Sequence, residues 1–347
     1  MPPNSVVVAP DELHRLVRNL FAGAGVSESH AATAADAFIW ANLRGVESHG
    51  VARVPRYLEL FASGEANAKP NIQVTRPRPG LVIVDADRAP GPVALSLAMD
   101  EAVAAARQTG VAWASVRQTV HTGAIGHYVE RAAKAGMVGI GLVAGMPNMG
   151  YVGVRGPAVA TSPIAIAVPS KRHGVVILDM ATATIALGRI AQYKQRGEAL
   201  PEGAAVDAEG RPTTDAALAV TPTPMAGAKG SGLSLMIEML TGVLATAPIL
   251  APFHQGKPGA RKHRQNAVLI AVDISALGSL DEFCAAVDET LDALKALPAA
   301  AEGGEVLFPG ERGAATERQR REAGIPLGPK IWGELQALSG NTETGPA

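Results

Sequence analysis

Between Leu81 and Val143 the chain alternates short runs of aliphatic residues with longer stretches whose apolar side chains recur every three or four positions. Leu81 to Asp85 predicts a strand, and Pro92 to Gln108 a helix with Leu95, Met99 and Val103 on its buried face. Val111 to Val116 predicts a second strand, Gly123 to Ala135 a helix stopped by Gly136, and Val138 to Val143 a third strand. Strands that alternate with helices require an α/β fold, and favour a sheet with parallel members covered by helices. Trp, Tyr and Phe together make up only 4% of the chain, against 47% hydrophobic residues overall. The core must therefore be assembled from Ala, Val, Leu and Ile. A length of 347 residues suits two domains, or one large divided one.

The flanking regions extend this pattern. Asp11 is placed to cap a helix from Glu12 to Ala22, and Ser27 one that runs to about Arg44 and stops at Gly45. Gly145 to Pro163 reads as a long structured loop, Ile164 to Val168 and Val175 to Leu178 as strands, and Ala181 to Tyr193 as a helix. Gly197 to Pro224 is rich in turns, and Ser231 to Ala245 is an apolar helix. Phe253 to Gln265 is polar and basic, the best candidate for a mobile loop. A strand from Ala267 to Asp273 and a helix from Asp281 to Leu297, ended by Pro298, follow. After a loop from Ala299 to Gly313 come helices at Thr316 to Ala323 and Pro329 to Leu338, and a frayed tail beyond Ser339.

Several function classes are excluded. A net charge of −1 gives no general attraction to nucleic acid or acidic membranes. The single cysteine, Cys284, rules out a disulfide framework and a thiolate cluster. No apolar run approaches the ~20 residues that span a bilayer. Met1 to Pro10 shows no secretory pattern, so a cytoplasmic location is expected. Gly139, Gly141 and Ala144 match G-x-G-x-x-A, but they lie inside a predicted strand and lead into Met146-Pro147. Close backbone packing explains them better than a Rossmann loop. Gly256-Lys257 is followed by Pro258, so there is no Walker motif. His121 and His127 lack the spacing of metal ligands, and no metal is expected. No G-x-S-x-G exists, and the side chains of the neighbours Ser48 and His49 should point apart on regular structure.

Three segments carry candidate chemistry. Arg44 to Tyr57 gathers arginines, His49 and a phenol near a helix end broken by Gly45 and Gly50. Arginine suits a carboxylate and histidine a proton transfer, while the competing reading is a solvated turn. His121 lies between a strand and a helix, where a helix N-terminus would keep it neutral; a structural hydrogen bond is the alternative. Lys229 among Gly227, Gly230 and Gly232 at a helix start suits a phosphate or carboxylate, or is an exposed turn.

Together these segments resemble the malate/L-lactate dehydrogenase family of non-Rossmann NAD(P)-dependent oxidoreductases, which includes ureidoglycolate and sulfolactate dehydrogenases and cyclic imine reductases. The resemblance spans Pro10 to Leu338. It rests on Arg44-Gly45 with Ser48-His49-Gly50, Val51 to Tyr57, His121-x-Gly123, Asp179-Met180-Ala181-Thr182 with Gly188, Gly227-x-Lys229-Gly230, and Phe308-Pro309-Gly310-Glu311. It implies a non-Rossmann mixed sheet covered by helices, with a helical part formed from both termini. The implied division is 1–75 as an N-terminal helical, substrate-side part and 76–120 as the first part of the sheet domain. Residues 121–265 would form the nucleotide-binding domain, and 266–347 the sheet continuation and C-terminal helices. The implied activity is hydride transfer between NAD or NADP and a small 2-hydroxy or 2-oxo acid, in a homodimer or higher oligomer. By the same resemblance His121 exchanges the proton, with His49 and Ser48 beside it. Arg53, Tyr57 and Arg44 would bind the carboxylate substrate. Asp179, Met180, Ala181, Lys229 and Gly230 would bind the cofactor, and Pro309, Gly310 and Glu311 would close over it. Three departures leave the substrate open: Ser231 where many members carry an aromatic residue, Thr122 in the histidine motif, and the loop from Met146 to Thr161. Cyclic imine reduction and non-catalytic nucleotide binding remain as alternatives.

Overall fold

A computed structural model describes residues 5–300 and 304–342. The chain begins with strand β1 (Val6–Val8) and helices α1 (Pro10–Gly23), α2 (Glu28–Leu43) and α3 (Val54–Ala62). The alternating region gives β2 (Gln73–Arg78), β3 (Leu81–Asp85), α4 (Gly91–Thr109), β4 (Val111–Thr119), α5 (Gly126–Lys134) and β5 (Met137–Gly145). Then come β6 (Ile164–Pro169), β7 (Val175–Met180), α6 (Leu187–Arg196) and three two-residue strands, β8 (Ala205–Val206), β9 (Pro212–Thr213) and β10 (Thr221–Pro222). Helix α7 (Ala228–Glu238) runs on through a π-helical turn at Met239–Val243, and α8 (Leu250–His254) follows. The chain closes with β11 (Gln265–Asp273), α9 (Leu280–Lys295), α10 (Glu311–Ala323), β12 (Ile325–Leu327) and α11 (Pro329–Thr342). No helix among the described residues is long and apolar enough to cross a membrane.

The main sheet has seven strands in the order β2-β3-β4-β11-β5-β6-β7. Only β3 and β4 pair in parallel; the other neighbouring pairs are antiparallel. The expected parallel character is thus much reduced. The reason is β11, which inserts antiparallel between β4 and β5. Strands β4 and β5 keep the common direction of a β-α-β unit but are no longer neighbours. Ala267, Val268, Leu269 and Ala271 of β11 are buried, as a central strand covered on both faces requires.

Small side chains set the layer spacing. Helix α4 turns Ala94, Ala98, Ala102 and Ala106 into the sheet core at four-residue intervals. Helix α5 comes closer still: a Cβ added to Gly139 on β5 would lie 2.5 Å from the Val129 carbonyl oxygen and 2.9 Å from Ala132 Cβ. The G-x-G pattern therefore serves packing. The scarce aromatic rings concentrate elsewhere. Phe21, Phe38, Tyr57 and Phe61 pack ring on ring in a second core, with centroids 5.2–5.8 Å apart. That core is helical and drawn from both termini: α1 to α3 join α11 and the β1–β12 pair, where Val6 faces Leu327 and Val8 faces Ile325.

Several local expectations shift. Helix α1 starts at Pro10 with Ala9 in the cap position, so Asp11 lies in the first turn and does not cap. Ser27 does cap α2, accepting from the His30 N–H. The helix expected from Ala181 begins only at Leu187, because the Thr182 N–H is taken by the Thr161 carbonyl and the Thr184 N–H by that of Thr223. The segment expected to be a mobile loop, Phe253 to Gln265, is tied down at His254 by the Ala158 carbonyl and at His263 by Glu65. The helix expected from Thr316 starts at Glu311, and the last helix runs past Ser339 to Thr342. The rest of the expected frayed tail lies outside the described residues, as does part of the loop from Ala299.

Gly139→Ala should lower stability by about 1–3 kcal/mol, the usual effect of overpacking. Gly278→Ala, at an exposed position with no atom within 4 Å, is the control and should change little. Thermal unfolding of the two variants checks this; equal melting temperatures would contradict the close approach of α5 to β5.

Candidate active site

The site begins where α2 ends. Gly45 turns the chain at φ +77°, and two 3-10 turns follow, Glu47–His49 and Val51–Arg53. Asn42 Oδ1 accepts the Val51 N–H at 2.7 Å, and a Cβ on Gly50 would collide with that amide. This explains the glycine after Ser48-His49. Inside the tight turn Ser48 Oγ reaches His49 Nδ1 at 3.0 Å, contrary to the expectation that the two side chains diverge. Regular strand or helix geometry would separate them; a 3-10 turn does not.

The second part is the turn between β4 and α5, which carries His121. Its carbonyl accepts from the Gly91 N–H, and the Thr122 N–H donates to Gln265 Oε1 at 2.8 Å. The Tyr128 hydroxyl donates to the Thr122 carbonyl. So fixed, the His121 ring stacks on His49, with centroids 5.9 Å apart and planes 19° apart. Arg53 Nε donates to the Ser48 carbonyl at 2.6 Å. No carboxylate among the described residues forms an ion pair with the Arg53 guanidinium. Tyr57 is 1% exposed, so it lies beneath the site and not at its surface. Its hydroxyl meets the carbonyl and Nδ1 of His121.

The opposite wall belongs to α6 and the segment before it. A Cβ on Gly188 would lie 3.2 Å from Ser48 Cβ. Between the walls lies a cleft of about 500 Å³, lined by Glu47, Ser48, Ile185, Arg189, Gln192 and Tyr193 among others. It shares Thr184 with a second recess of about 400 Å³ lined largely by backbone, including Gly150, Gly156, Gly203 and Gly227.

Charges are arranged so that the histidines are neutral. Enclosure by protein, then the nearby Arg53, pushes His49 down to about 4. Enclosure also holds His121 well below its usual range, helped by His49, Arg53 and His263. As a residue His121 is only half-buried. Asp179, at the end of β7, accepts the Gly126 N–H at the start of α5 at 2.8 Å. It keeps a solvent-exposed edge, yet the surrounding protein pushes its carboxyl up to about 6, with the Gly126 hydrogen bond opposing.

The structure draws together Ser48, His49, Arg53 and His121, with Tyr57 behind them. Met180 and Ala181 continue from Asp179 toward Thr182. There Gly230 allows the start of α7 to touch: an added Cβ would lie 2.7 Å from the Thr182 carbonyl and 2.5 Å from that of Met225. Lys229 is exposed in the first turn of α7. Ser231 accepts the Val152 N–H and donates to the Gly227 carbonyl, bracing the loop from Met146.

Other predicted site residues are engaged elsewhere. Arg44 is 9% exposed and binds Glu317 at 3.1 Å and the Gly310 carbonyl at 3.2 Å, lies 3.9 Å from Glu130, and stacks over Trp40 at 5.2 Å. Its guanidinium is thus engaged by protein groups. Pro309 and Gly310 run along the outer strand β7, where the Ile177 N–H donates to the Pro309 carbonyl. Glu311 pairs with Lys295 and accepts the Phe308 N–H. These three dock α9 and α10 onto the sheet. Asn42, Gln265 and His263 were missed. A buried Asn just before a helix end was a usable signal; Gln265 and His263 had none, since only the fold brings them near.

Next to the cleft residue Ser48, two neutral imidazoles and a guanidinium without an ion-pair partner among the described residues stand together on a mixed α/β scaffold, an arrangement that suits a small acid. The comparisons agree. Residues 8–336 match the family described as malate/L-lactate dehydrogenase, and the chain belongs to that family. It is 32% identical over 336 residues to the malate/(S)-sulfolactate dehydrogenase of Methanothermus fervidus, covering 96% of this chain and 97% of that one. It is 32% identical to the ureidoglycolate dehydrogenase (NAD(+)) of Escherichia coli O157:H7, covering 92% of each. The solved sulfolactate dehydrogenase of Methanocaldococcus jannaschii superposes with a TM-score of 0.87 at 31% identity, covering 97% of this chain and 98% of that one.

Arg44→Ala removes a buried cation from Glu317 and Glu130, which keep Arg321 and Lys134, and should cost about 1.5–3 kcal/mol of stability, the usual loss of a hydrogen bond to a charged group. The KM for the acid substrate should stay unchanged in the folded protein. Unfolding curves and KM together check this: an unchanged melting temperature with a raised KM would return Arg44 to the substrate.

Proposed function

We propose that this chain transfers a hydride reversibly between a small 2-hydroxy acid and NAD or NADP, with Arg53 on the substrate carboxylate and His121 exchanging the hydroxyl proton. The observation that carries this reading is the Arg53 guanidinium, half-buried beside two neutral imidazoles and without a carboxylate partner among the described residues. A cation so placed is stabilised by an anion from outside, and a planar carboxylate matches its fork.

The residues also fit a dinucleotide. The two recesses that meet at Thr184 suit an elongated ligand, and Lys229 at the start of α7 suits its phosphates. Met180, Ala181 and Gly230 lie on the segments that converge there, and Asp179 adds a carboxyl at the start of α5. When bound, the nicotinamide supplies or takes the hydride. The chain's own residues do the rest. Arg53 orients the acid so that its carbinol carbon is fixed. His121, neutral when the cleft is empty, accepts the hydroxyl proton during oxidation and returns it during reduction. Ser48 and His49, hydrogen-bonded to each other, form the wall beside His121.

The test is incubation with each reduced nicotinamide and a panel of 2-oxo acids plus Δ1-pyrroline-2-carboxylate. Consumption with a 2-oxo acid is expected. Consumption confined to the imine would assign imine reduction, and none at all would end the proposal. His121→Ala should lower turnover about 10²- to 10⁴-fold while cofactor affinity, read by fluorescence titration, holds.

The pH dependence follows from the lowered His121 pKa. Oxidation needs the neutral ring, which prevails above that pKa, so kcat/KM for oxidation should be flat through neutral pH. It should fall only below the ordinary histidine value of 6.5. Reduction needs the imidazolium and should gain as pH falls. A steep loss of oxidation between pH 8 and about 7 would contradict this.

A further inference from the structure

We propose that Tyr57 is a positioning residue that decides which ring nitrogen of His121 meets the substrate. This rests on the reading that His121 exchanges the proton. The Tyr57 hydroxyl has one proton and two acceptors within reach, the His121 carbonyl oxygen and His121 Nδ1. The carbonyl oxygen can only accept, so the hydroxyl proton is directed there. Burial keeps the phenol protonated, raising its pKa against the effect of Arg53. The Tyr57 oxygen lone pairs then face His121 Nδ1 at 3.2 Å, which suits an Nδ1–H donor.

The arrangement is locked from several sides. The Gly91 N–H holds the same His121 carbonyl at 3.1 Å, so the peptide cannot turn away. Phe21 and Phe38 pack against the Tyr57 ring, with centroids at 5.8 and 5.2 Å. The charged and titratable groups facing His121 are His49, Arg53, His263 and Tyr57 itself. No carboxylate among the described residues hydrogen-bonds to the ring. The partner that usually fixes a catalytic imidazole is therefore replaced by a phenol. The other neighbour of Nδ1 is the Gly123 N–H at 3.3 Å, which can serve only a bare nitrogen.

With the proton on Nδ1, Nε2 carries the lone pair. In oxidation the substrate O–H bond breaks and an Nε2–H bond forms, while the C–H electron pair leaves as hydride to the nicotinamide. His121 becomes an imidazolium, and its Nδ1–H stays on Tyr57. Reduction reverses each change. Without the Tyr57 oxygen, the Gly123 N–H would favour a bare Nδ1 and place the proton on Nε2, where it blocks the base.

The experiment is two-bond ¹H–¹⁵N NMR on the full chain with labelled histidine, His121 being identified by its loss in His121→Gln. The expected result is an Nδ1–H tautomer in the unaltered protein and an Nε2–H tautomer in Tyr57→Phe. An Nε2–H tautomer in the unaltered protein would overturn the proposal, and that measurement stands even where the variant folds poorly. Kinetically, Tyr57→Phe should slow oxidation about 10- to 100-fold, by analogy with groups that orient metal-bound histidines. Its acid limb should move to lower pH, because the cation loses an acceptor. Slower turnover with an unmoved limb and an unchanged tautomer would reduce Tyr57 to packing. Full turnover in His121→Ala would instead defeat the proton-transfer reading and leave the tautomer result untouched.

Discussion

One contact joins the two cores of this protein at the place where chemistry is proposed. Tyr57 belongs to the ring-rich helical core built from both termini, and its hydroxyl ends on the peptide and ring of His121. His121 in turn sits on the rim of the alanine-rich sheet core, tied to α4 through Gly91 and to β11 through Gln265. If the helical part moved, His121 would lose its backing, and Ser48, His49 and Arg53 would leave its side. The active site is thus a seam between two packing solutions, one made of rings and one of small side chains. Where α4 and α5 come closest to the sheet they do so on Ala and Gly, with Trp40 and Tyr128 as the rings of that core.

Much of the fold followed from periodicity. The segments from Leu81 to Val143 became the expected strands and helices, and the Ser27 cap formed as expected. These are local features, set by side-chain spacing and capping within a few residues. The sheet order was not legible. Strand β11 enters between β4 and β5 from far along the chain, and nothing local to it specifies that neighbour. Its apolar run says only that it is buried. The same limit applies to β1 and β12, which are short, pair across almost the whole sequence and were not foreseen.

The site was legible as residue types and less so as roles. The Arg44 to Tyr57 segment pointed to carboxylate binding, and one of its arginines, Arg53, forms no ion pair with a carboxylate of the described residues while its Nε holds the Ser48 carbonyl. Arg44 has the same chemistry in sequence but faces Glu317 and Glu130, so burial and partner decide between two identical side chains. Tyr57 suggested a substrate contact, whereas its depth makes it a support for His121. Pro309-Gly310-Glu311 suggested a cover for the cofactor; in the structure the Pro309 carbonyl accepts from Ile177 of β7 and the Glu311 carboxylate pairs with Lys295 of α9. For Arg44 and Tyr57 the competing demand was a buried polar group that had to be satisfied by the protein itself.

The central claim is that Arg53, which forms no ion pair with a carboxylate of the described residues, is the anion site. Its most direct test is the kcat/KM of Arg53→Ala for the 2-hydroxy acid, with and without added guanidinium. Loss of one charged hydrogen-bonding partner, about 1.5–3 kcal/mol, predicts a fall of roughly 10- to 100-fold, partly restored by guanidinium, with cofactor affinity unchanged. An unaltered kcat/KM in a folded Arg53→Ala protein would contradict the account.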